Sequence, residues 1–340
     1  MRIGLLTTSF PRHPGDYAGS FVGDRARRLL DDGHAVDVLA AGDGAATTVA
    51  GRLTITRLPV QGELFYGAGA PETLEHDRSA WWSAARFSAA LTAAAAARVS
   101  AWDALESHWL VPCALAASIA APGSPRRAFA HSGDVALLER IPFGQALARR
   151  LARDGTRLRF VSADLQARFA RLAGAPVGEV EALEVPPEIF YRRSAPDAEL
   201  RRRLGLSRPT VLAVGRLVPI KGHARLVHAC ARAAAVAPQL VILGDGPERG
   251  RLERLAAALG VRLTLPGFVS RDEVARWLRA VDLFTQPSIQ LANGRSEGAP
   301  IAVREAQRVG TPIVATAELG ELVRAMQALP RQRNEYVSPV

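Results

Sequence analysis

The chain has 340 residues, 48% of them hydrophobic, and carries 43 Lys and Arg against 33 Asp and Glu, a formal net charge of +10. That is about two domains' worth of chain with ample apolar content for packed cores, which argues against a disordered protein, and its positive balance favours anionic partners such as nucleotide, acidic lipid or nucleic acid. The two cysteines, Cys113 and Cys230, each sit among apolar neighbours, which argues against a disulfide framework and for a reducing compartment.

Short runs rich in Val, Ile and Leu alternate with longer Ala/Arg/Leu segments of helical period, the pattern of βαβ units and a parallel sheet. In chain order the first half predicts a strand at Ile3–Thr7, a helix at Ser20–Asp32 and a strand at Ala35–Ala40. A long helix at Trp81–Val99 follows, then strand ends at Phe129–His131 and Arg159–Ser162 and a helix at Ala163–Leu172. No signal-peptide h-region precedes these elements, and the longest apolar run, Trp109 to Pro122, is interrupted by Pro112 and too short to span a bilayer. A cytoplasmic protein is expected, at most peripheral to the inner face of the cell membrane.

Between Glu184 and Pro209 the pattern breaks at Pro186-Pro187, Pro196 and Arg201-Arg202-Arg203. A second series then predicts strands at Thr210–Val214, Gln239–Leu243, Arg262–Leu265, Leu283–Gln286 and Pro312–Ala315. Its helices are Gly222–Ala237, Glu248–Leu259, Arg271–Ala280 and Ala302–Val309, with a further helical segment at Leu319–Leu329. The expected fold is α/β: two Rossmann-like, doubly wound domains facing each other across a cleft at the C-terminal strand ends. Residues 1–190 form the first domain and 191–208 a linker. Residues 209–325 form an incomplete second domain, with an irregular tail at 326–340.

Three motifs carry chemistry. Glu297-Gly298-Ala299-Pro300 runs into Glu305, with Pro300 at the first helical position and backbone amides at a helix N-terminus, a site for phosphate. Carboxylates on either side of such a site suit a ligand with hydroxyls flanking a phosphate. In Gly215–Gly222, Arg216 and Lys221 can converge on a diphosphate, although the spacing is not that of a P-loop; an ordinary exposed loop is the equal alternative. Gly244-Asp245-Gly246-Pro247 nearly mimics a dinucleotide fingerprint, but its third glycine falls one position late, and it reads best as a tight turn.

Two weaker signals lie in the first half. His131 closes a strand, and His108 is similar; a structural hydrogen-bonder is the plainer reading of either. Gly19-Ser20 precedes a helix, as a phosphate site or as simple capping by Ser20. The Arg-rich stretch from Glu139 to Arg159 is either a basic amphipathic surface for anionic lipid or, more simply, a solvated helix face. Nucleic-acid binding lacks interleaved aromatics, and no Asp-x-Asp or Cys/His cluster has metal-ligand spacing, so no nucleic-acid partner, metal or cofactor is expected.

Together these residues resemble glycosyltransferase family 4, retaining enzymes of GT-B architecture. The resemblance rests on the Glu297/Glu305 pair with Gly298 and Pro300, combined with the Arg216/Lys221 loop. It implies that Arg216 and Lys221 hold a donor diphosphate, that Glu297 contacts the donor sugar, and that Glu305 contacts the ribose. It further implies that the amides after Gly298, including Ala299, face phosphate, and that Phe268 and Val269 border the base. Gly215 and Gly244 belong to the same donor site, His131 lies near the sugar hydroxyls, and Gly19 lies near the diphosphate.

By this resemblance the substrates are a UDP- or GDP-linked sugar and a glycan or lipid-linked acceptor. The family's final strand and helices have no counterpart before Val340, which reads as C-terminal truncation. A catalytically inactive nucleotide-binding remnant and a nucleotide-sugar epimerase of the same fold are the alternatives.

Overall fold

A computed structural model of the chain describes residues 1–13, 15–60, 64–66, 70–193, 195–292, 297, 300–315 and 318–329. Two units form, Met1–Glu184 and Val185–Val340. In the first, the elements are β1 (Arg2–Leu6), α1 (Ser20–Asp31), β2 (Ala35–Gly42), β3 (Ala46–Ala50), β4 (Leu53–Pro59), α2 (Ala70–His76) and α3 (Ala80–Ala96). They continue as β5 (Ala104–His108), α4 (Leu115–Ala120), β6 (Arg126–Ala130), α5 (Ser132–Arg140), α6 (Gly144–Arg153), β7 (Arg157–Phe160), α7 (Ala163–Ala173) and β8 (Glu179–Val180).

The strands order as β3-β4-β2-β1-β5-β6-β7-β8, parallel throughout except for the antiparallel β3–β4 pair. Ile3, Leu5, Val22 and Val38 pack one side of the sheet, and Leu6, Leu39, Phe87 and Leu91 the other. The sequence reading passed over β3 and β4. Every residue of β3 is exposed, so it lacks the apolar alternation that marks a strand.

The second unit holds α8 (Ala198–Arg203), β9 (Thr210–Val214), α9 (His223–Arg232), β10 (Gln239–Leu243), α10 (Arg249–Ala258), β11 (Leu263–Gly267) and α11 (Arg271–Ala280). Then come β12 (Leu283–Thr285), α12 (Ile301–Val309), β13 (Ile313–Val314) and α13 (Leu319–Gln327). The sheet order is β11-β10-β9-β12-β13, all parallel. The two-residue period of a strand divides the core: Val211, Ala213, Leu240 and Ile242 face one cluster, while Leu212, Val241 and Leu243 face the other. Side chains buried on both faces explain why these strands read as continuous apolar runs.

Residues 191–208, expected as a linker, belong to the second unit, and the division falls at 184/185 rather than 190/191. Phe190 is fully buried and Leu206 nearly so in that unit's core. Arg201 donates to Asp282 and to the Ala280 carbonyl, both at 2.8 Å, and Asp282 in turn accepts from the Thr210 amide at 2.7 Å. The basic run that looked like a linker signal thus contributes a buried ion pair. The tail from 330 onward, Gly298 and Ala299 all lie outside the described residues.

Candidate functional site

In the second sheet the strand order reverses between β9 and β12, and ligands of open α/β sheets bind beyond the carboxyl ends at such a point. β9 leads into the Gly215–Gly222 loop and β12 into Gln286, Pro287 and Ser288. An Ile289 N–H donating to the Ile220 carbonyl at 2.9 Å ties these loops together. Gly244, after β10, has φ 143°, and a Cβ there would lie 2.1 Å from the Gly215 carbonyl oxygen. Its place is therefore set by close packing beneath the Arg216 loop.

Glu297 is the hub of this region. Lys221 Nζ pairs with Glu297 Oε1, and Ser288 Oγ donates to Oε2. Gln286 Nε2 reaches Oε2 at 3.1 Å and Ser288 Oγ at 2.8 Å. Burial alone would raise the carboxyl's pKa; the Lys221 ammonium, the Ser288 hydroxyl and the Arg216 charge outweigh it and hold the group below its ordinary value. Glu297 is thus an ionised acceptor. The structure brings together Lys221 and Glu297 from the residues singled out in the sequence, and adds Gln286 and Ser288, which no motif flagged.

His223, the first residue of α9, was also missed. It is fully buried, its Nε2 lies 3.3 Å from the Arg216 carbonyl oxygen, and burial with the Lys221 charge pushes its pKa to about 4. A neutral ring here braces the backbone that carries Arg216.

Pro300 is the N-cap of α12, with ψ 120°, rather than its first residue; the helix starts at Ile301 and ends where Gly310 turns left-handed. Glu305 lies in the second turn and is 4% exposed. Arg271, at the start of α11, donates to Glu305 Oε1 from Nη2 at 2.6 Å and from Nε at 3.1 Å, with its guanidinium 5.1 Å above the Phe190 ring. Burial nonetheless raises the Glu305 pKa, with Arg271 opposing. Phe268, just beyond β11, is 44% exposed, while Val269 packs against the core.

In the first unit His131 caps α5 at the end of β6 in a capping box with Asp134, whose carboxylate accepts the His131 N–H at 3.2 Å and the Leu110 N–H at 2.6 Å. The ring is buried against Phe21, Trp109 and His108. Burial first, and then His108, holds its pKa well below the ordinary value. Gly19 is the left-handed N-cap of α1 with φ 67°, and a Cβ there would lie 2.3 Å from the Ser9 carbonyl oxygen. Backbone packing therefore already demands glycine at this position, and Ser20 does not cap.

Residues 197–327 match the family model for glycosyl transferases group 1. The chain is 37% identical over 186 residues to the GDP-mannose-dependent alpha-(1-6)-phosphatidylinositol monomannoside mannosyltransferase of Mycobacterium tuberculosis (strain CDC 1551 / Oshkosh), covering 52% of this chain and 47% of that protein. The protein of the same description from Mycolicibacterium smegmatis is 32% identical over 226 residues, covering 62% of this chain and 58% of its own. The chain thus spans about half the length of the curated relatives it matches. The solved structure of Anabaena HepE in complex with UDP and glucose superposes with a TM-score of 0.69 at 19% identity, over 96% of this chain and 89% of that one. The fold is GT-B, two Rossmann-like units.

Proposed function

We propose that the chain is a retaining glycosyltransferase of family 4 that moves a sugar from a UDP- or GDP-linked donor to a glycan or lipid-linked acceptor. The observation that carries this is the Lys221–Glu297 pair, supported by Gln286 and Ser288, at the switch point of the sheet in the segment that matches glycosyl transferases group 1. Breaking the anomeric C–O bond builds negative charge on the departing diphosphate, and fixed cations at that point stabilise the transition state. Arg216 and Lys221 supply them, and Glu297, already ionised, accepts hydrogen bonds from hydroxyls of the sugar. On donor binding Lys221 shares its charge between Glu297 and phosphate oxygens.

In this reading the reaction needs no metal or cofactor, Glu305 and Phe268 serve the nucleoside, and His131 and Gly19 serve the sugar and diphosphate. Acceptor choice follows the relatives' descriptions, which name phosphatidylinositol monomannoside. Among the described residues no helix is long and apolar enough to cross a membrane. Peripheral contact from the cytoplasmic side is supported by α6, whose Arg149, Arg150 and Arg153 are exposed beside Phe143 (75% exposed), and by Trp82 (77% exposed). No nucleic-acid partner is included.

Release of GDP from GDP-mannose, or of UDP from UDP-glucose, in the presence of a lipid-linked acceptor tests the reading. Nucleotide binding by calorimetry without release from either donor would overturn it in favour of an inactive remnant, and sugar isomerisation without acceptor would mark an epimerase.

A further inference from the structure

The loop that carries Arg216 is anchored to the β10 side of the second unit through main chain. Gly215 N–H donates to the Leu243 carbonyl and Leu217 N–H to the Asp245 carbonyl, both at 2.9 Å, and Glu248 N–H returns to the Leu217 carbonyl at 3.0 Å. A Cβ at Gly246 would lie 2.6 Å from the Leu217 carbonyl oxygen, so the two loops touch backbone to backbone. Between these anchors Val218 N–H closes a three-residue turn on the Arg216 carbonyl at 2.9 Å, with the fully buried Leu217 at its centre. A carbonyl oxygen has two lone pairs, and the Arg216 oxygen also meets His223 Nε2 at 3.3 Å.

The end of the same loop puts the ring there. Gly222 is left-handed at φ 66°, and a Cβ on it would lie 2.2 Å from the Pro287 carbonyl oxygen, so the chain can turn at this point only as glycine. That turn starts α9 and returns its first side chain to a carbonyl seven positions earlier. The ring is fully buried. Burial first, and then the Lys221 ammonium, pushes its pKa down to about 4; the Arg216 and Gly215 carbonyls and the Glu297 charge pull the other way and do not prevail. A neutral imidazole has one N–H, and a carbonyl oxygen can only accept, so the proton is on Nε2. Among the described residues Nδ1 has no hydrogen-bond partner, so nothing there competes for the ring's orientation.

We propose that His223 is a positioning residue that, by donating from Nε2 to the Arg216 carbonyl, fixes the turn from which Arg216 meets the donor diphosphate. The role toward the donor rests on the reading of Arg216 under Proposed function; the hydrogen bond does not. His223 touches no reacting atom in this scheme and acts through main chain alone.

The test compares His223→Phe, which keeps a buried ring and deletes the donor, with His223→Gln, whose amide nitrogen can replace Nε2. With GDP-mannose or UDP-glucose, His223→Phe should lower kcat/KM for the donor by roughly tenfold to a hundredfold, the range that a misplaced binding group costs, and leave the acceptor KM unmoved. His223→Gln should restore most of that loss. In an Arg216→Met background the same His223→Phe change should have little further effect, because two residues that act through one contact are not additive. Unchanged donor kcat/KM in folded His223→Phe overturns the proposal, and so does an undiminished loss in the Arg216→Met background, which a merely stabilising ring would give. Should His223→Phe not fold, ring nitrogen–proton correlation spectra of the wild-type chain carrying ¹⁵N-histidine decide, with His223→Gln assigning the signal. The expected proton is on Nε2, and a proton on Nδ1 overturns the brace. A wild-type chain that carries the Nε2 proton, and binds UDP or GDP more tightly than His223→Phe by calorimetry, yet turns over neither donor, keeps the brace and sinks the transfer reading instead.

Discussion

Glu297 and Glu305 lie eight positions apart on one segment, and both are largely withdrawn from water, yet their electrostatics diverge. Glu297 is held below its ordinary pKa and Glu305 above it. Burial raises both. Glu297 answers with Lys221, the Ser288 hydroxyl, the Gln286 amide and the Arg216 charge spread over both oxygens. Glu305 has Arg271 on Oε1, and one cation does not repay the desolvation of a carboxylate. A carboxylate kept charged by several donors is ready to accept ligand hydroxyls. Glu305, whose Oε1 is already held by Arg271, has first to be released from its arginine. The motif that looked symmetrical in the sequence is therefore asymmetric in chemistry.

The largest effect that would break this contrast is on Arg271. Arg271→Met leaves Glu305 buried without its cation and should cost about 3–5 kcal/mol of stability by denaturant unfolding. Because the Glu305 pKa is already raised in the folded chain, the penalty should grow as pH rises above the unfolded carboxyl value and shrink in acid. A loss independent of pH would show that Glu305 is not the group responsible. In the proposed role of Glu297, Glu297→Gln should keep the fold and lower transfer by roughly 10²–10³-fold, read as nucleoside diphosphate release, since it removes the charge proposed to hold the sugar. Retained activity would sink the role assigned to Glu297.

Glu106, gripped by Arg25 through two hydrogen bonds at 2.7 Å, sharpens the comparison from the other unit, because its partners carry it further than those of Glu297. Its folded pKa of about 2 lies below the ordinary 4.5, so the stability it contributes is fully present above the unfolded value and is lost as pH falls through that window. The contribution is roughly 3 kcal/mol. Acid unfolding followed by circular dichroism should show that loss, and Glu106→Gln should flatten it. The smallest effect belongs to Lys221→Arg. Charge is kept while the compact ammonium is replaced by a planar fork, so donor KM should rise by about tenfold or less with little change in stability.

Much of the fold was legible. The runs Thr210–Val214 and Arg271–Ala280 coincide with β9 and α11, because a strand buried on both faces and a helix capped by Ser270 announce themselves locally. The hairpin of β3 and β4 was not legible, since an exposed edge strand carries no apolar period. The polyarginine run near 201 misled because a buried Arg looks like a solvated one until Asp282, 81 positions away, is seen beside it.

At the site the sequence by itself determined which residue types were available: Arg216 and Lys221 in one glycine-bounded loop, Glu297 and Glu305 at set spacing around Pro300, and His131 at a strand end. Those features are local, and loop, helix and strand grammar reads them. Only the tertiary structure decided which charges meet. Lys221 finds Glu297 76 positions away in the loops beyond β9 and β12, Arg271 on α11 finds Glu305 on α12 34 away, and Arg25 on α1 finds Glu106 on β5 81 away, whatever the chain between them. The physical reason is that a charge's behaviour depends on its burial and on its neighbours within a few ångströms, and sheet order sets both.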